Sequence, residues 1–375
     1  MASIYLEDFF SRAFLGSLAS SLVPAVGPLL LAAAATVVLT PAVMLLARRV
    51  GAVAVPGGRH IHLSLTPKLG GWALYLAFAA AVAWSLGVRD WRIVGLLSVC
   101  GFATLIFTYD DRFQMPPWTK LGIETGLALL AIFGFGMKIG FFTLPGGHVV
   151  ELGLLAYPLT LLWLVGMQNT INLLDGIDGL AAGVVGIVAV VLAVAAISKQ
   201  DESEVIAAAA FAGCCFGFLI FNFHPAKIFM GDSGSHFLGL ALGLLSILGV
   251  AKVAVGLALA VPILALAVPI ADTAWAIVRR RRQGRAISHA DSRHIHHQLL
   301  DFGMSQRQAC LIFYGATAIL GALGLMIFGH KRILAVVVVM ILVGLSTVAG
   351  ERLQDVRRLI PVPGFRRLLP APEPE

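Results

Sequence analysis

Apolar residues along this chain come in continuous runs rather than in alternation. Eleven runs stand out, over residues 22–46, 69–86, 93–107, 121–135, 152–167, 180–197, 207–223, 237–250, 253–278, 311–328 and 334–350. Runs of this length with few charges predict helices that cross a bilayer, since a span needs about 20 residues. Continuity excludes a β-barrel, whose strands alternate apolar and polar positions. Pro262 and Pro269 predict a bend in the ninth run. Residues 141–150, which hold Pro145, Gly146 and Gly147, read as a short hairpin or turn outside the lipid. The predicted fold class is all-α, a polytopic membrane protein of about 11 transmembrane helices. It divides into an N-terminal segment (1–21), a membrane domain (22–350) and a tail (351–375).

Composition agrees with lipid as the solvent. Only 13% of the 375 residues are charged, against about 25% in a soluble protein. Mean hydropathy is +0.91. Too few charges exist to coat a water-soluble globule of this size. Disorder and a nucleic-acid-binding arm are excluded, and no nucleic-acid partner is expected. Cys100, Cys214, Cys215 and Cys310 lie in or beside apolar runs with no metal or disulfide spacing, so they read as packing residues. Glu7 and Asp8 stand where the basic start of a cleavable signal peptide belongs.

Charge then sets the orientation. With the N-terminus outside, the inner segments hold most of the 27 Lys and Arg residues. They include Arg48, Arg49, Lys68, Arg112, Lys120, Lys227, the run from Arg279 to Arg282, and Arg293. The excess of inner Lys and Arg predicts an outer N-terminus and a cytoplasmic C-terminus, and an odd number of spans requires opposite sides. Eight of the ten histidines fall on the inner side, all but His148 and His330. Outer loops carry ordinary charge such as Asp201, Glu202 and Glu204. Polar groups on one face suggest a cytoplasmic active site. A transporter instead places them near the midplane of several spans.

Four inner stretches carry candidate chemistry. Asp110 and Asp111 directly follow the third run. Adjacent carboxylates suit metal binding or base work; the alternative is a solvated turn beside Arg112. Asn169, Asn172, Asp175 and Asp178 recur every third position. On one continuous helix they spread over half the circumference. Gly176 and Gly179 predict that the helix stops and lets them converge, with oxygen donors suited to a hard cation such as Mg²⁺. Asn222 opens the next inner stretch, which ends in Asp232 and a helix-opening Ser233-Gly234-Ser235. A carboxylate beside free backbone N–H groups handles a metal and phosphate oxygens together; the plain alternative is a helix cap. His294, His296 and His297 could hold zinc, but nearby Arg293 and the lack of paired cysteines favour phosphate.

Taken in order on one side, these motifs resemble the polyprenyl-phosphate N-acetylhexosamine-1-phosphate transferases of glycosyltransferase family 4, in the WecA- and TagO-like branch related to MraY. The resemblance covers residues 50–314 and rests on Pro67 to Gly71, Asp110 to Phe113, Asn169 to Gly183, Asn222 to Gly239, Asp272 and His294 to His297. It implies transfer of N-acetylglucosamine-1-phosphate, or a related N-acetylhexosamine-1-phosphate, from a UDP-sugar to undecaprenyl or another polyprenyl phosphate. UMP leaves, in the first membrane step of a cell-wall or surface glycopolymer. It implies Mg²⁺, with Mn²⁺ an alternative, held by Asn172 and Asp232. It implies Asp110 as base or lipid-phosphate partner, with Asp111 in support and Asp232 catalytic. Asp175 and Asp178 fall to the nucleotide site, and Arg293, His294, His296 and His297 to the diphosphate. Lys68, Lys120, Asn169 and Asn222 are further substrate-binding candidates. Another UDP-amino sugar, MurNAc-pentapeptide, a polytopic transporter and a homodimer stay open. The chain departs from the family pattern in its first inner loop, at Ala54, His60 and Leu65.

Overall fold

The computed structural model describes residues 12–54, 65–143, 149–197, 201–250 and 303–326, with isolated positions among 266–278 and at 299–300. Nine helices of more than ten residues occur among them: α1 (Arg12–Arg49), α2 (Gly70–Leu86), α3 (Trp91–Phe113), α4 (Pro117–Leu129), α5 (Ala156–Leu174), α6 (Leu180–Ile197), α7 (Glu202–Asn222), α8 (Gly231–Val250) and α9 (Gln306–Met326). Six are long and apolar enough to cross a membrane. Large apolar side chains such as Val38, Trp84 and Leu154 stand exposed, as lipid contact requires and water does not favour. The architecture is that of a multi-pass membrane protein.

Two small ladders qualify the all-α expectation. β1 (Val53–Ala54) pairs antiparallel with β2 (Thr66–Pro67), and β3 (Phe141–Thr143) pairs antiparallel with β4 (Val149–Glu151). The second is the expected hairpin. The first has two residues per strand, too few to show alternation. The described helices do not extend to eleven spans, because most of the ninth run and all of the last lie outside the described residues.

Helix ends follow local chemistry. Asp90 caps α3 by accepting from Arg92 N at 2.8 Å, and Asp201 caps α7 by accepting from Glu204 N at 3.3 Å. Asp90 and Asp201 are thus helix caps. α3 runs six residues past its apolar stretch and stops at Gln114, which is left-handed (φ 52°), just before Pro116. Asp110 and Asp111 therefore sit on the last helical turn and not in a loop. Charge alone does not end a helix; the turn at Gln114 and the prolines do. Pro117 opens α4 at a position where its missing N–H costs nothing.

α8 is the hub, packed by α2, α3 and α5, while α1 lies along α7. Two glycines let α1 and α7 approach. A Cβ at Gly213 would stand 2.1 Å from the Leu29 carbonyl oxygen, and one at Gly217 2.6 Å from that of Ala33. Small residues four apart serve this close packing in membranes. Gly213→Ala is expected to cost about 1–3 kcal/mol through overpacking against backbone. A lowered melting temperature of the detergent-purified protein is the check; an unchanged one contradicts the packing.

Candidate active site

Four helix ends meet at one end of the bundle. α3 brings Asp110 and Asp111, α4 brings Lys120, α5 brings Asn172, and α8 brings Asp232 in its first turn. The stretch before α2 joins them. Phe229 N donates to Pro67 O, Gly70 N to Phe229 O and Gly71 N to Met230 O, all at 2.8–3.0 Å. Gly231 turns the chain into α8 with φ +72°, and a Cβ there would stand 2.3 Å from both Asp111 Oδ1 and Lys68 O. Glycine is required there for conformation and for space.

Asp111 accepts from the backbone N–H of Asp232 at 2.6 Å and of Ser233 at 3.2 Å. It caps α8 from another helix and satisfies two of its free donors. Lys120 pairs with Asp110 and, at 2.5 Å, with Asp232 Oδ2. Asp110 is buried and takes Met115 N on its other oxygen at 2.5 Å. Asn172 Nδ2 donates to Asp232 Oδ1 at 3.1 Å and to Ser235 Oγ at 2.9 Å. Burial opposes charge on Asp232, but its contact with Asp110 and the nearby Lys120 ammonium hold its carboxyl below the usual range. Burial likewise opposes charge on Lys120, and Asp232 and Asp110 outweigh it, so its ammonium is held above the ordinary lysine value.

Asp175 closes α5 as its C-terminal cap, and Gly179 turns left-handed (φ +85°) before α6. The helix stops where Gly176 and Gly179 predicted. Burial, then Asp232, Asp111 and Asp178, push Asp175 up to about 8, with Lys68 opposing. A carboxyl whose folded pKa is raised contributes stability fully below its unfolded value, about 3.9. That contribution is lost as pH rises through about 8. Asp175→Asn is therefore expected to make melting of the ligand-free protein less pH-dependent over that window; an unchanged profile contradicts it.

The other expected residues stand elsewhere. Asp178 is buried and holds the segment after α7, taking His224 Nδ1 at 2.9 Å and Ala226 N at 3.0 Å. Asn222 is buried and donates to Ile228 O at 2.9 Å. Asn169 lies one turn deeper and donates to Glu124 Oε2 at 2.5 Å. The backbone of Lys68 donates to Ala52 O. Arg293, His294, His296, His297 and Asp272 lie outside the described residues. Three participants were not singled out from sequence: Glu124, His236 and Arg307, whose Nε donates to His224 O at 3.0 Å.

Among the described residues no three His, Cys, Asp or Glu side chains gather into a metal site by themselves. The donors that do converge are oxygens, two carboxylates with an ammonium already between them and an amide beside them. Such a set fits a hard divalent cation that draws its remaining ligands from water or a phosphate substrate. The capped N-terminus of α8 adds a positive dipole end at the same place. Together these groups can hold an anionic phosphate against fixed carboxylates.

Comparison with known proteins bears on this arrangement. The sequence model described as "Glycosyl transferase family 4" matches residues 93–250. A Bacillus subtilis protein named "Probable undecaprenyl-phosphate N-acetylglucosaminyl 1-phosphate transferase" is 35% identical over 278 residues, covering 74% of this chain and 77% of the relative. A Mycolicibacterium smegmatis decaprenyl-phosphate N-acetylglucosaminephosphotransferase is 34% identical over 319 residues, covering 76% and 77%. A Heliobacterium modesticaldum phospho-N-acetylmuramoyl-pentapeptide-transferase is 35% identical over 201 residues, covering 50% and 62%.

Proposed function

This chain belongs to glycosyl transferase family 4, and on that premise we propose that it transfers a sugar-1-phosphate from a UDP-N-acetylhexosamine to a polyprenyl phosphate. An oxygen of the lipid phosphate attacks the β-phosphorus of the donor. The bond from that phosphorus to the bridging oxygen breaks, UMP leaves, and a polyprenyl-diphosphate sugar forms. N-acetylglucosamine is the favoured sugar: the relatives named for it are 34–35% identical over 74–76% of this chain, while pentapeptide transferases match 50–69% of it at 31–35% identity.

The observation that carries the reading is the Lys120 ammonium set between Asp110 and Asp232 at the capped start of α8. Both substrates are anions, so a site for them needs positive charge where the equatorial oxygens develop theirs. Lys120 supplies it from the protein. Asp232 and the Asn172 amide are suited to hold Mg²⁺, or Mn²⁺, which neutralises diphosphate charge when bound. Asp110 is placed to orient the lipid phosphate or hold its proton, and Asp111 keeps the α8 turn in position. Asp175, Lys68 and the 293–297 stretch are assigned to the nucleotide and diphosphate. The excess of Lys and Arg in the segments on this side supports a cytoplasmic face for this end of the bundle.

The test incubates purified protein and Mg²⁺ with undecaprenyl phosphate and a panel of UDP-sugars, and weighs the lipid product. A product heavier by one N-acetylhexosamine-1-phosphate, largest with UDP-N-acetylglucosamine, supports the reading. A product carrying a MurNAc-pentapeptide phosphate favours the other branch, and uptake without UMP release overturns the assignment.

A further inference from the structure

One helical turn from the carboxylates and the lysine lies a second layer that has no part in the chemistry above. Each helix that supplies a site residue also supplies a member of this layer. Glu124 stands four residues after Lys120, His236 four after Asp232, Asn169 three before Asn172, and Phe107 three before Asp110. Offsets of three and four put both residues of each pair on one helix face. The members meet one another. Glu124 Oε1 faces His236 Nε2 at 3.0 Å, and Glu124 Oε2 accepts from Asn169 Nδ2 at 2.5 Å. His236 Nδ1 lies 2.9 Å from Asp232 O. The His236 ring stacks on Phe107, with centroids 3.6 Å apart and planes at 17°. Glu124, His236 and Phe107 are 2%, 1% and 0% exposed.

The wiring leaves little freedom. A carbonyl oxygen can only accept, so Nδ1 of His236 carries a proton and donates it to Asp232. The other ring nitrogen is then committed to Glu124, and Asn169 fixes the second oxygen of that carboxylate. A buried polar pair of this kind adds little net stability over apolar packing, and its best-attested use is to fix register. Removing one member leaves the facing polar atom of the other buried and unpaired.

We propose that Glu124, His236 and Asn169 form a positioning layer that sets the Asp232-bearing turn of α8 against the Lys120-bearing helix α4, so that its loss acts on turnover rather than on donor affinity. This rests on the transferase reading. Partners that orient metal-binding or reacting groups cost about 10- to 100-fold when removed.

Glu124→Gln, His236→Gln and the double variant are to be purified in detergent and checked for melting temperature. UMP release is then measured per folded enzyme. The expected result is a kcat lowered about 10- to 100-fold with KM for the UDP-sugar held within about twofold. The double variant loses no more than the worse single one, because the pair acts as a unit. Near-wild-type kcat in folded variants, a loss confined to KM, or fully multiplicative losses overturn the proposal. Should Glu124→Gln fail to fold, Asn169→Ser removes one donor to the carboxylate and decides the same question. It lowers kcat if Asn169 positions, and raises KM if Asn169 touches substrate. A wild type that releases no UMP contradicts the transferase reading and not the layer. Labelling of Lys120 by an amine-reactive ester, read by peptide mass, still decides the layer in that case. Several-fold faster labelling in Glu124→Gln supports it, and an unchanged rate overturns it.

Discussion

Asp232→Asn is expected to abolish UMP release, by about 10³-fold or more, while the protein remains inserted and folded. Its carboxylate meets Lys120 on one oxygen and Asn172 on the other, at the start of a helix whose first amides are capped by Asp111. Asparagine keeps the shape and the α8 cap, so the fold has no reason to fail. It removes the negative charge that draws Lys120 and that a divalent cation would need. Removing one group that stabilises transition-state charge costs about 10²–10³ in kcat, and here a cation's ligand is lost as well. UMP release by the purified variant is the measurement. A near-normal rate would contradict the placement of Asp232 at the reacting phosphates.

Lys120→Met carries the second large effect, a loss of about 10²–10³-fold in kcat. Lys120 pairs with both Asp110 and Asp232. Methionine keeps much of the stem but removes the charge, leaving two carboxylates facing each other with no protein cation between them. The variant should also lose the low carboxyl value of Asp232, which the Lys120 charge helps to maintain. Lys120→Arg should recover only part of the rate, since a planar fork does not replace a compact ammonium in a tight gap. Initial rates at saturating donor, beside melting curves for each variant, test this. Full activity of Lys120→Met would show that the bridge is an incidental ion pair.

Sequence made the outline of this site legible where the signal is local. The three-residue spacing from Asn169 to Asp178, with Gly176 and Gly179, foretold a helix that stops, and α5 ends at Leu174. The hairpin near Gly146 was equally local. Asp110 and Asp111 directly follow the apolar run, whose end leaves them outside the helix it predicts. The helix continues through them because what ends it is the left-handed Gln114. The second layer is a different case. Glu124 lies inside the fourth apolar run and His236 just ahead of the eighth, and neither stretch points to the other. Their meeting depends on how α4 and α8 are rotated, which no single stretch encodes. A partial signal existed, an ionisable residue inside an apolar run and four positions after Lys120. The β1–β2 ladder is set by packing of two residues per strand beside α1 and leaves no pattern to read.

The central claim is that a sugar-1-phosphate moves, and not a sugar alone. Donor carrying a radioactive β-phosphorus tests it most directly. Purified protein is incubated with β-labelled UDP-N-acetylglucosamine, undecaprenyl phosphate and Mg²⁺, and lipid is separated from nucleotide. Label is expected to enter the lipid as a diphosphate while the released nucleotide is unlabelled UMP in equal amount. Label remaining in released UDP, with sugar alone on the lipid, would contradict it.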